Sequence, residues 1–273
     1  MATNNASTAA ESRDPVRVTN AAGGSRYVIV CEHASNWLPP SLGTLGLDPS
    51  EMERHIAWDP GALPVAQRLA ELLDATLVES RVSRLAIDCN RPSDAPDLIA
   101  QTSETTRIPG NEGLGPEARE ARIALSYRPF HDALAAQIDS RLAKGRAAWI
   151  VTVHSFTPVY KGVSRPWHIG IIHDADERLA SPLLARLGGV SGIAVGANQP
   201  YSPADRVYYT LERHARLRGL PCAMIEIRND EIADAAAQES WAKRLADILS
   251  GIEESDLKPG METASAKGTR RSA

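Results

Sequence analysis

Three largely apolar runs in the chain are each followed at once by polar residues that can carry chemistry. The runs begin at Tyr27, Trp149 and Cys222. Apolar runs of this kind are typical of central strands in an α/β sheet, which helices cover on both faces. Ligands bind such sheets at the carboxyl ends of the strands. The polar residues that follow the three runs are therefore the first candidates for a functional site.

Segments with helical periodicity lie between these runs. Helices are predicted at 48–56, 62–73, 116–144, 177–187, 206–217 and 232–249, and further strands at 76–80, 85–88, 167–172 and 193–195. Strands that alternate with helices predict an α/β fold, a three-layer αβα sandwich around a mixed, mostly parallel sheet. Residues 93–115 are rich in Pro, Gly, Asp and Thr, and we expect a long loop there of the kind that forms lids or binding loops.

The length of 273 residues suits one large α/β domain. We predict a single domain over 25–252, a flexible tail at 1–24 and a disordered tail at 253–273. The net charge of −4 argues against a nucleic-acid partner. No apolar run approaches the ~20 residues of a membrane span, and no signal peptide is recognisable. The three cysteines lie in apolar runs, as in reduced cytoplasmic proteins. The oligomeric state cannot be predicted.

His33 and His154 end two of the predicted strands and are the first candidates for metal ligands. A hydrolytic zinc site needs about three protein ligands and an open position for water. The third ligand could be Asn36, Glu32 or Asp59. An amide is a poor zinc ligand beside a carboxylate, and Glu32 is expected to point away from His33 by the two-residue period of a strand. Asp59 could equally be the N-cap of the helix that follows it.

Glu226 lies late in the third apolar run, where a carboxylate is seldom buried without a partner. One interpretation is a salt bridge with Arg228, which shares its side of the strand. The other is a general base and acid that acts on a metal-activated water, with a pKa raised by burial. We favour the second interpretation.

A second set of polar residues is expected to bind a small anionic substrate. Asn90 and Arg91 follow a predicted strand, and a guanidinium group can bind a carboxylate through two parallel hydrogen bonds. Arg84, Arg165 and Arg228 are further candidates, and Arg84 or Arg228 could instead polarise the scissile carbonyl. Among the other histidines, we expect His168 and His214 near the site, His214 as a substrate-binding candidate, and His55, His131 and His173 as structural or exposed residues.

Seven blocks of the sequence, taken together, resemble the N-formylglutamate amidohydrolase family. They are Cys-Glu-His-Ala-Ser-Asn (31–36), His-Ile-Ala-Trp-Asp-Pro-Gly-Ala (55–62), Ser-Arg-Leu-Ala-Ile-Asp-Cys-Asn-Arg-Pro (83–92), Val-His-Ser-Phe-Thr-Pro (153–158), Arg-Pro-Trp-His (165–168), Tyr-Thr-Leu-Glu-Arg-His (209–214) and Ile-Glu-Ile-Arg-Asn-Asp (225–230). The resemblance covers about Tyr27 to Ser250, in the same order.

The resemblance implies a phosphorylase/hydrolase-like αβα sandwich, similar in fold to zinc carboxypeptidases and aspartoacylases. It implies a zinc amidohydrolase that cleaves N-formyl-L-glutamate to formate and glutamate, as in histidine degradation. The carboxypeptidase relatives begin with a His-x-x-Glu block, whereas this chain has His33-Ala-Ser-Asn36, so Asp59 is taken as the ligand beside His33 and His154. By the same likeness Glu226 is the base, and Asn90 with Arg91 holds the substrate carboxylate.

Two alternative functions remain open at this point. One is a zinc hydrolase that acts on another N-acyl amino acid or a short peptide. The other is a metal- or anion-binding protein without catalysis, which the presence of Glu226 beside two histidines disfavours.

Overall fold

A seven-stranded sheet forms the centre of the protein, in a computed structural model that describes residues 13–257. The described strands are β1 (Val16–Thr19), β2 (Tyr27–Cys31), β3 (Thr76–Ser80), β4 (Thr102–Ser103), β5 (Thr106–Arg107), β6 (Trp149–Phe156), β7 (Val159–Tyr160), β8 (Val163–Ser164), β9 (Ile169–Ile172), β10 (Val195–Ala197) and β11 (Cys222–Arg228). The sheet has the order β1-β3-β2-β6-β11-β9-β10, while β4 with β5 and β7 with β8 form two small hairpins. The β1–β3 and β9–β11 pairs are antiparallel, and the other four pairs of the sheet are parallel.

Helices cover both faces of this sheet. They are α1 (Pro49–Met52), α2 (Ala62–Leu73), α3 (Pro116–Arg122), α4 (Arg128–Ala143), α5 (Ala180–Gly188), α6 (Tyr209–His214) and α7 (Ala235–Ser250). Helices α2, α5 and α7 pack on one face, and α4 and α6 pack on the other. The predicted three-layer sandwich with a mixed, mostly parallel sheet is therefore confirmed.

Strand β2 shows why the central strands are apolar throughout. Tyr27, Ile29 and Cys31 face the α2 and α7 side, and Val28 and Val30 face α4. Successive side chains of a strand point to opposite faces, so a strand with helices on both sides needs an apolar residue at every position. All five residues are buried. Polar residues therefore begin where the strand extends beyond the helices that cover it, and the site lies there.

The long helix predicted at 116–144 is present, but it changes geometry at its middle. Between α3 and α4 the chain forms a wide π-helical segment at Ile123–Tyr127, in which the Arg128 N–H donates to the Ile123 carbonyl. The segment is followed by Pro129, which has no N–H with which to continue the α-helical ladder.

Two predictions of local structure are wrong. Residues 85–88, predicted as a strand, form turns, in which the Asp88 N–H donates to the Leu98 carbonyl at 2.8 Å. Leu85 and Ile87 are buried, but they pack in two different clusters. An apolar run indicates that a segment is buried, but it does not show whether a neighbouring strand is available to pair with it. The helix predicted at 206–217 is shorter than expected, and α6 spans only Tyr209–His214.

The predicted tails need a partial correction. Residues 1–12 and 258–273 lie outside the described residues. Within the remainder, residues 16–19 form β1, which pairs with β3 about sixty residues later, with Val16 opposite Ser80. A four-residue edge strand has too few positions to show a clear alternation, so the sequence did not reveal it. In the C-terminal segment, Glu254–Asp256 form one turn of 3₁₀ helix.

Candidate metal centre

The carboxyl ends of β2, β6 and β11 bring the strand-end residues together. His33 follows β2 by two residues, and His154 and Glu226 lie near the ends of β6 and β11. His154 and Glu226 are paired in register on adjacent parallel strands, so their side chains project from the same face. All three residues are almost completely buried.

Asp59 completes a cluster with the two histidines. Its Oδ2 lies 3.3 Å from Nδ1 of His33 and 2.9 Å from Nδ1 of His154. One ligand atom from each of these three residues can be chosen so that all lie within 4.8 Å of one another. Two imidazole nitrogens and a carboxylate oxygen are a common donor set for catalytic zinc. The three residues could therefore hold a metal ion, and the donor chemistry fits Zn²⁺.

The turn before α2 places Asp59 in the cluster. Asp59 is not the helix N-cap, because that position belongs to Gly61 and no side chain caps the helix. The Asp59 N–H donates instead to the His33 carbonyl at 2.9 Å, which fastens the turn to the end of β2. Gly61 has a φ of 80°, and a Cβ there would lie 2.5 Å from the Ile232 carbonyl oxygen. Only glycine fits this position without moving the turn.

The outer nitrogen of each histidine faces a second carboxylate. Nε2 of His33 lies 2.7 Å from Oδ1 of Asp88, and Nε2 of His154 lies 3.0 Å from Oε2 of Glu32. Glu32 thus lies on the far side of His154 from Asp59. The other alternative for the third ligand, Asn36, is remote from the cluster, since its amide donates to the Met52 carbonyl.

Opposite charges control the protonation of these buried groups. Burial by itself would raise the pKa of Asp59, but His33 and His154 hold it well below its usual range. Burial would lower the pKa of His154, but Glu32 and Asp59 raise it well above its usual value. The cluster without metal therefore favours a positive charge between its carboxylates. The same carboxylates would stabilise a bound metal cation, which would take the place of a histidine proton.

Glu226 faces the same cavity as the cluster. Burial, reinforced by the negative charge of Asp59, raises the pKa of Glu226 to about 7, although His154 opposes the shift. Its Oε2 has no hydrogen-bond partner in the part of the chain that the structure describes. The alternative salt bridge with Arg228 is not formed, because that guanidinium pairs with Asp230 and Glu231. Glu226 is therefore a buried carboxyl group free to exchange a proton near neutral pH.

The cavity has a volume of about 160 Å³. Typical sites for drug-sized ligands measure roughly 300–1,000 Å³, so this cavity suits a small molecule. Besides the cluster, its walls include Arg84, Arg91 and Asn90, and the tip of the β4–β5 hairpin contributes Ser103 and Glu104.

Three of the predicted anion-binding residues line this cavity, but internal contacts engage them. Arg84 donates to Asp88 at 2.9 Å and to Asp59 at 3.3 Å. Arg91 donates through Nε to Asp97. Both ends of the Asn90 side-chain amide bind backbone groups, at Val207 and Thr210. These residues support the cluster and the cavity wall.

Arg165 is the predicted arginine that keeps its charge uncompensated. Its guanidinium lies 4.5 Å from the ring centroid of Tyr160 and 4.8 Å from that of Tyr201, two aromatic residues of the cavity wall. Among the described residues it has no carboxylate within ion-pair distance, although the residue is only 7% exposed. A buried cation without a counter-ion is a strong candidate for binding a substrate carboxylate.

Arg165 lies behind the two tyrosines rather than in the cavity wall itself, and two further predicted site residues also lie outside the wall. Arg228 is held by its two acidic neighbours. His214 lies behind the site, where its Nε2 is 2.9 Å from Nδ1 of His131 and both rings are buried. Burial lowers the pKa of His131 well below its usual range and that of His214 to about 4, so both rings are neutral.

Two ionisable residues that contact the cluster were not predicted as part of the site. Asp88, which holds His33, was expected only as the end of a strand. His55 was expected to be structural or exposed, yet it lines the cavity, with Nδ1 3.4 Å from Oδ1 of Asp59. Burial lowers the pKa of His55 to about 4, so it is neutral. The four-residue spacing of His55 and Asp59 was the one feature of the sequence that could have indicated their proximity.

The fold and the cluster define an α/β protein with a candidate metal centre at the carboxyl edge of its sheet. The model of the N-formylglutamate amidohydrolase family matches residues 25–233. The chain therefore belongs to the N-formylglutamate amidohydrolase family, and the resemblance noted from the sequence is confirmed.

Two solved structures share the fold of the chain. The gene product Atu2144 from Agrobacterium tumefaciens is 47% identical, with a TM-score of 0.86 over 89% of this chain and 96% of that one. The N-formylglutamate amidohydrolase from Ralstonia eutropha JMP134 is 18% identical, with a TM-score of 0.65 over 86% of this chain and 95% of that one. At that identity the second likeness shows the fold alone. No curated protein matches the chain. Within residues 13–257, no helix has the length and apolar character needed to cross a membrane.

Proposed function

We propose that the protein is a zinc-dependent amidohydrolase that hydrolyses N-formyl-L-glutamate, or a similar N-acyl amino acid, to formate or another acid and the free amino acid. The observation that carries the proposal is the convergence of His33, Asp59 and His154 in one cavity with Glu226. Membership of an amidohydrolase family supports the reaction class. The similar protein from Ralstonia eutropha is an N-formylglutamate amidohydrolase, so N-formyl-L-glutamate is the first substrate to test.

His33, Asp59 and His154 would hold the metal ion. Zn²⁺ in such a site supplies Lewis acidity, which lowers the pKa of water and polarises an amide carbonyl. The surrounding residues hold these ligand side chains in position. Asp59 is fastened to the end of β2 by its backbone, and Asp88 contacts His33 at 2.7 Å, so two of the three donors are fixed before any ligand binds.

Glu226 would move the proton that the reaction requires. Its pKa without metal is about 7, and a general base works best with a pKa near the operating pH. The carboxylate takes a proton from water as the water oxygen bonds to the amide carbon. The protonated carboxyl group then gives that proton to the nitrogen as the C–N bond breaks. Oε2 of Glu226 forms no hydrogen bond with the described residues, so it is available to accept and return this proton.

Arg165 would bind a carboxylate of the substrate, with Arg91 and Asn90 shaping the wall of the cavity. Cation–π contacts with Tyr160 and Tyr201, together with hydrogen bonds from Nη1 to Thr157 and Tyr201, hold the guanidinium in place. It can therefore bind a carboxylate without losing much side-chain entropy. The small cavity favours a short acyl group such as formyl. The cytoplasmic location and a role in histidine degradation remain predictions.

The test is a hydrolysis assay on the purified, zinc-loaded protein, with metal content measured by mass spectrometry. Formate release is followed with N-formyl-L-glutamate, and amino-acid release with N-acetyl-L-glutamate and with N-formylglycine. We expect about one zinc per chain and the highest kcat/KM for N-formyl-L-glutamate. Preference for N-acetyl-L-glutamate would move the proposal to another N-acyl amino acid. A zinc-loaded protein with no amide hydrolysis would contradict it.

A further inference from the structure

Glu32 lies beside His154 on the buried face of the sheet. It directly follows β2 and continues the face of Val28 and Val30, and Val30 is in register with Thr152 on β6. Two residues further along each strand, the Glu32 carboxylate therefore meets the His154 ring. Oε2 of Glu32 lies 3.0 Å from Nε2 of His154, and both side chains are at most 2% exposed.

This contact is the one ion pair of the Glu32 carboxylate among residues 13–257. No other residue in that range forms a well-aligned hydrogen bond with either carboxylate oxygen. A glutamate is seldom fully buried unless it is paired, and the one ion-pair partner of Glu32 is a candidate metal ligand. The role of this pair therefore needs an explanation.

The charges around the two histidines give one. Three carboxylates contact the histidine rings, those of Asp59, Asp88 and Glu32. One guanidinium, that of Arg84, pairs with two of these carboxylates. With neutral imidazoles these four groups carry a net charge of −2, and Glu226 in the same cavity adds to it when it is ionised. Asp88 is paired directly with Arg84, so Glu32 supplies negative charge that no nearby cation of the protein offsets.

We propose that Glu32 is a positioning residue for the metal centre. Its carboxylate favours a proton on Nε2 of His154, which leaves Nδ1, the nitrogen 2.9 Å from Asp59, as the ligand atom. It also adds a negative charge beside the cation. Outer carboxylates on ligand histidines commonly act in this way. The inference rests on the proposed zinc site and adds a residue that would contact neither the metal nor the substrate.

Zinc affinity tests the inference directly. The zinc Kd of the full chain is measured by competition with a chromophoric chelator for the wild type, Glu32→Gln, Glu32→Asp and the control Glu79→Gln. Glu79 is a buried glutamate of β3 that pairs with Arg17 and is absent from the cavity wall. We expect Glu32→Gln to weaken zinc binding about 10- to 100-fold. Glu32→Asp should recover part of the affinity, and Glu79→Gln should stay within about 3-fold of the wild type.

A spectroscopic measurement keeps the test independent of how well the variants fold. In the zinc-loaded wild type, ¹⁵N–¹H correlation spectra of the histidine rings should show His154 bound through Nδ1 and protonated at Nε2. Coordination through Nε2, or a Kd for folded Glu32→Gln within about 3-fold of the wild type, would overturn the inference. A wild type whose zinc affinity depends on Glu32 but which hydrolyses no N-acyl amino acid would overturn the proposed function alone.

Discussion

Glu226 on β11 and His154 on β6 are register partners on adjacent parallel strands, near the carboxyl ends of both. The sheet therefore places a candidate proton carrier beside a candidate metal ligand through backbone hydrogen bonds alone. No loop movement is needed to bring the two side chains together. The arrangement leads to predictions for each residue of the site.

The third metal ligand can be identified by substitution. Asp59→Asn keeps the shape of the side chain but replaces a carboxylate oxygen with a much weaker zinc ligand. We expect the zinc content of purified Asp59→Asn to fall well below half of the wild-type value. Asn36→Ala should retain its zinc, because that amide binds the Met52 carbonyl instead. Mass spectrometry of both proteins decides, and full zinc retention by Asp59→Asn would exclude Asp59 as a ligand.

Removal of the proton carrier should leave the metal in place. Glu226→Gln cannot accept a proton, and loss of general acid–base catalysis typically costs about 10²–10⁴ in rate. We therefore expect kcat to fall within that range while zinc content stays near one per chain. Glu79→Gln is the matched control and should hydrolyse at the wild-type rate. Near-wild-type turnover by zinc-loaded Glu226→Gln would show that Glu226 is not the general base.

The pH dependence follows from the same group. The ionised form of Glu226 is the base, and its pKa is about 7 without metal, so activity should rise with pH on the acidic limb. Below the pKa, kcat/KM should fall about tenfold per pH unit. A bound cation favours the ionised carboxylate, so the limb should lie at or below pH 7. A profile of kcat/KM from pH 5 to 8 checks this, and an unchanged acidic limb in Glu226→Gln would assign it to another residue.

Arg165 should determine the affinity for substrates with a carboxylate. A hydrogen bond to a charged group contributes about 1.5–3 kcal/mol, so Arg165→Ala should raise KM roughly 10- to 100-fold. Arg165→Lys should recover only part of this, because an ammonium lacks the planar fork. The control is Arg68→Ala, because that guanidinium pairs with Glu71 and Glu239 and is absent from the cavity wall. An equal rise in KM for an uncharged amide analogue would show that Arg165 does not bind the carboxylate.

The buried pair of His131 and His214 should make the fold sensitive to acid. Burial lowers the pKa of both, so the folded protein keeps them neutral while the unfolded chain protonates them near pH 6.5. Stability is then complete above about pH 6.5 and falls as the pH decreases towards the folded-state pKa. Each histidine contributes a slope of about 1.4 kcal/mol per pH unit in that window.

Urea denaturation between pH 7 and pH 5 measures this effect. In His214→Asn the pH dependence of the free energy of unfolding should become shallower by about 1.4 kcal/mol per pH unit. His173→Asn, at a histidine outside the pair, is the comparison. If His214→Asn kept the wild-type slope, the buried imidazole would not be the group that takes up the proton.

The strand ends could be predicted from the sequence because the rule behind them is general. His33 and His154 are separated by more than a hundred residues, yet parallel strands that share a sheet bring their carboxyl ends to one edge. Apolar runs identify such strands, so the residues after them could be chosen without knowing the fold. The resemblance to a family then favoured Asp59 over Glu32 and Asn36. The position of Asp59 in the cluster agrees with that choice.

The partners of the charged side chains could not be predicted in the same way. Arg165 and Arg228 looked equivalent in the sequence, but Arg165 contacts two tyrosine rings and Arg228 pairs with acidic neighbours. Asp88 and His55 lie in turns, where no period indicates the direction of a side chain. Strand periodicity predicts that Glu32 points away from His33, but it could not show that both residues would contact His154. These relationships depend on packing between segments far apart in the chain.

The reversed direction of β9 also affects how the site can change over evolutionary time. Strand β6 ends at the edge of the sheet that carries the cavity, and β9, antiparallel to β11, begins at that same edge. Residues 157–168, with the β7–β8 hairpin and Arg165, therefore join two strands without crossing the body of the sheet. Insertions or deletions in this segment would leave the hydrogen bonds of both strands intact. We expect it to tolerate the drift in length and sequence through which an enzyme of this architecture acquires a new substrate.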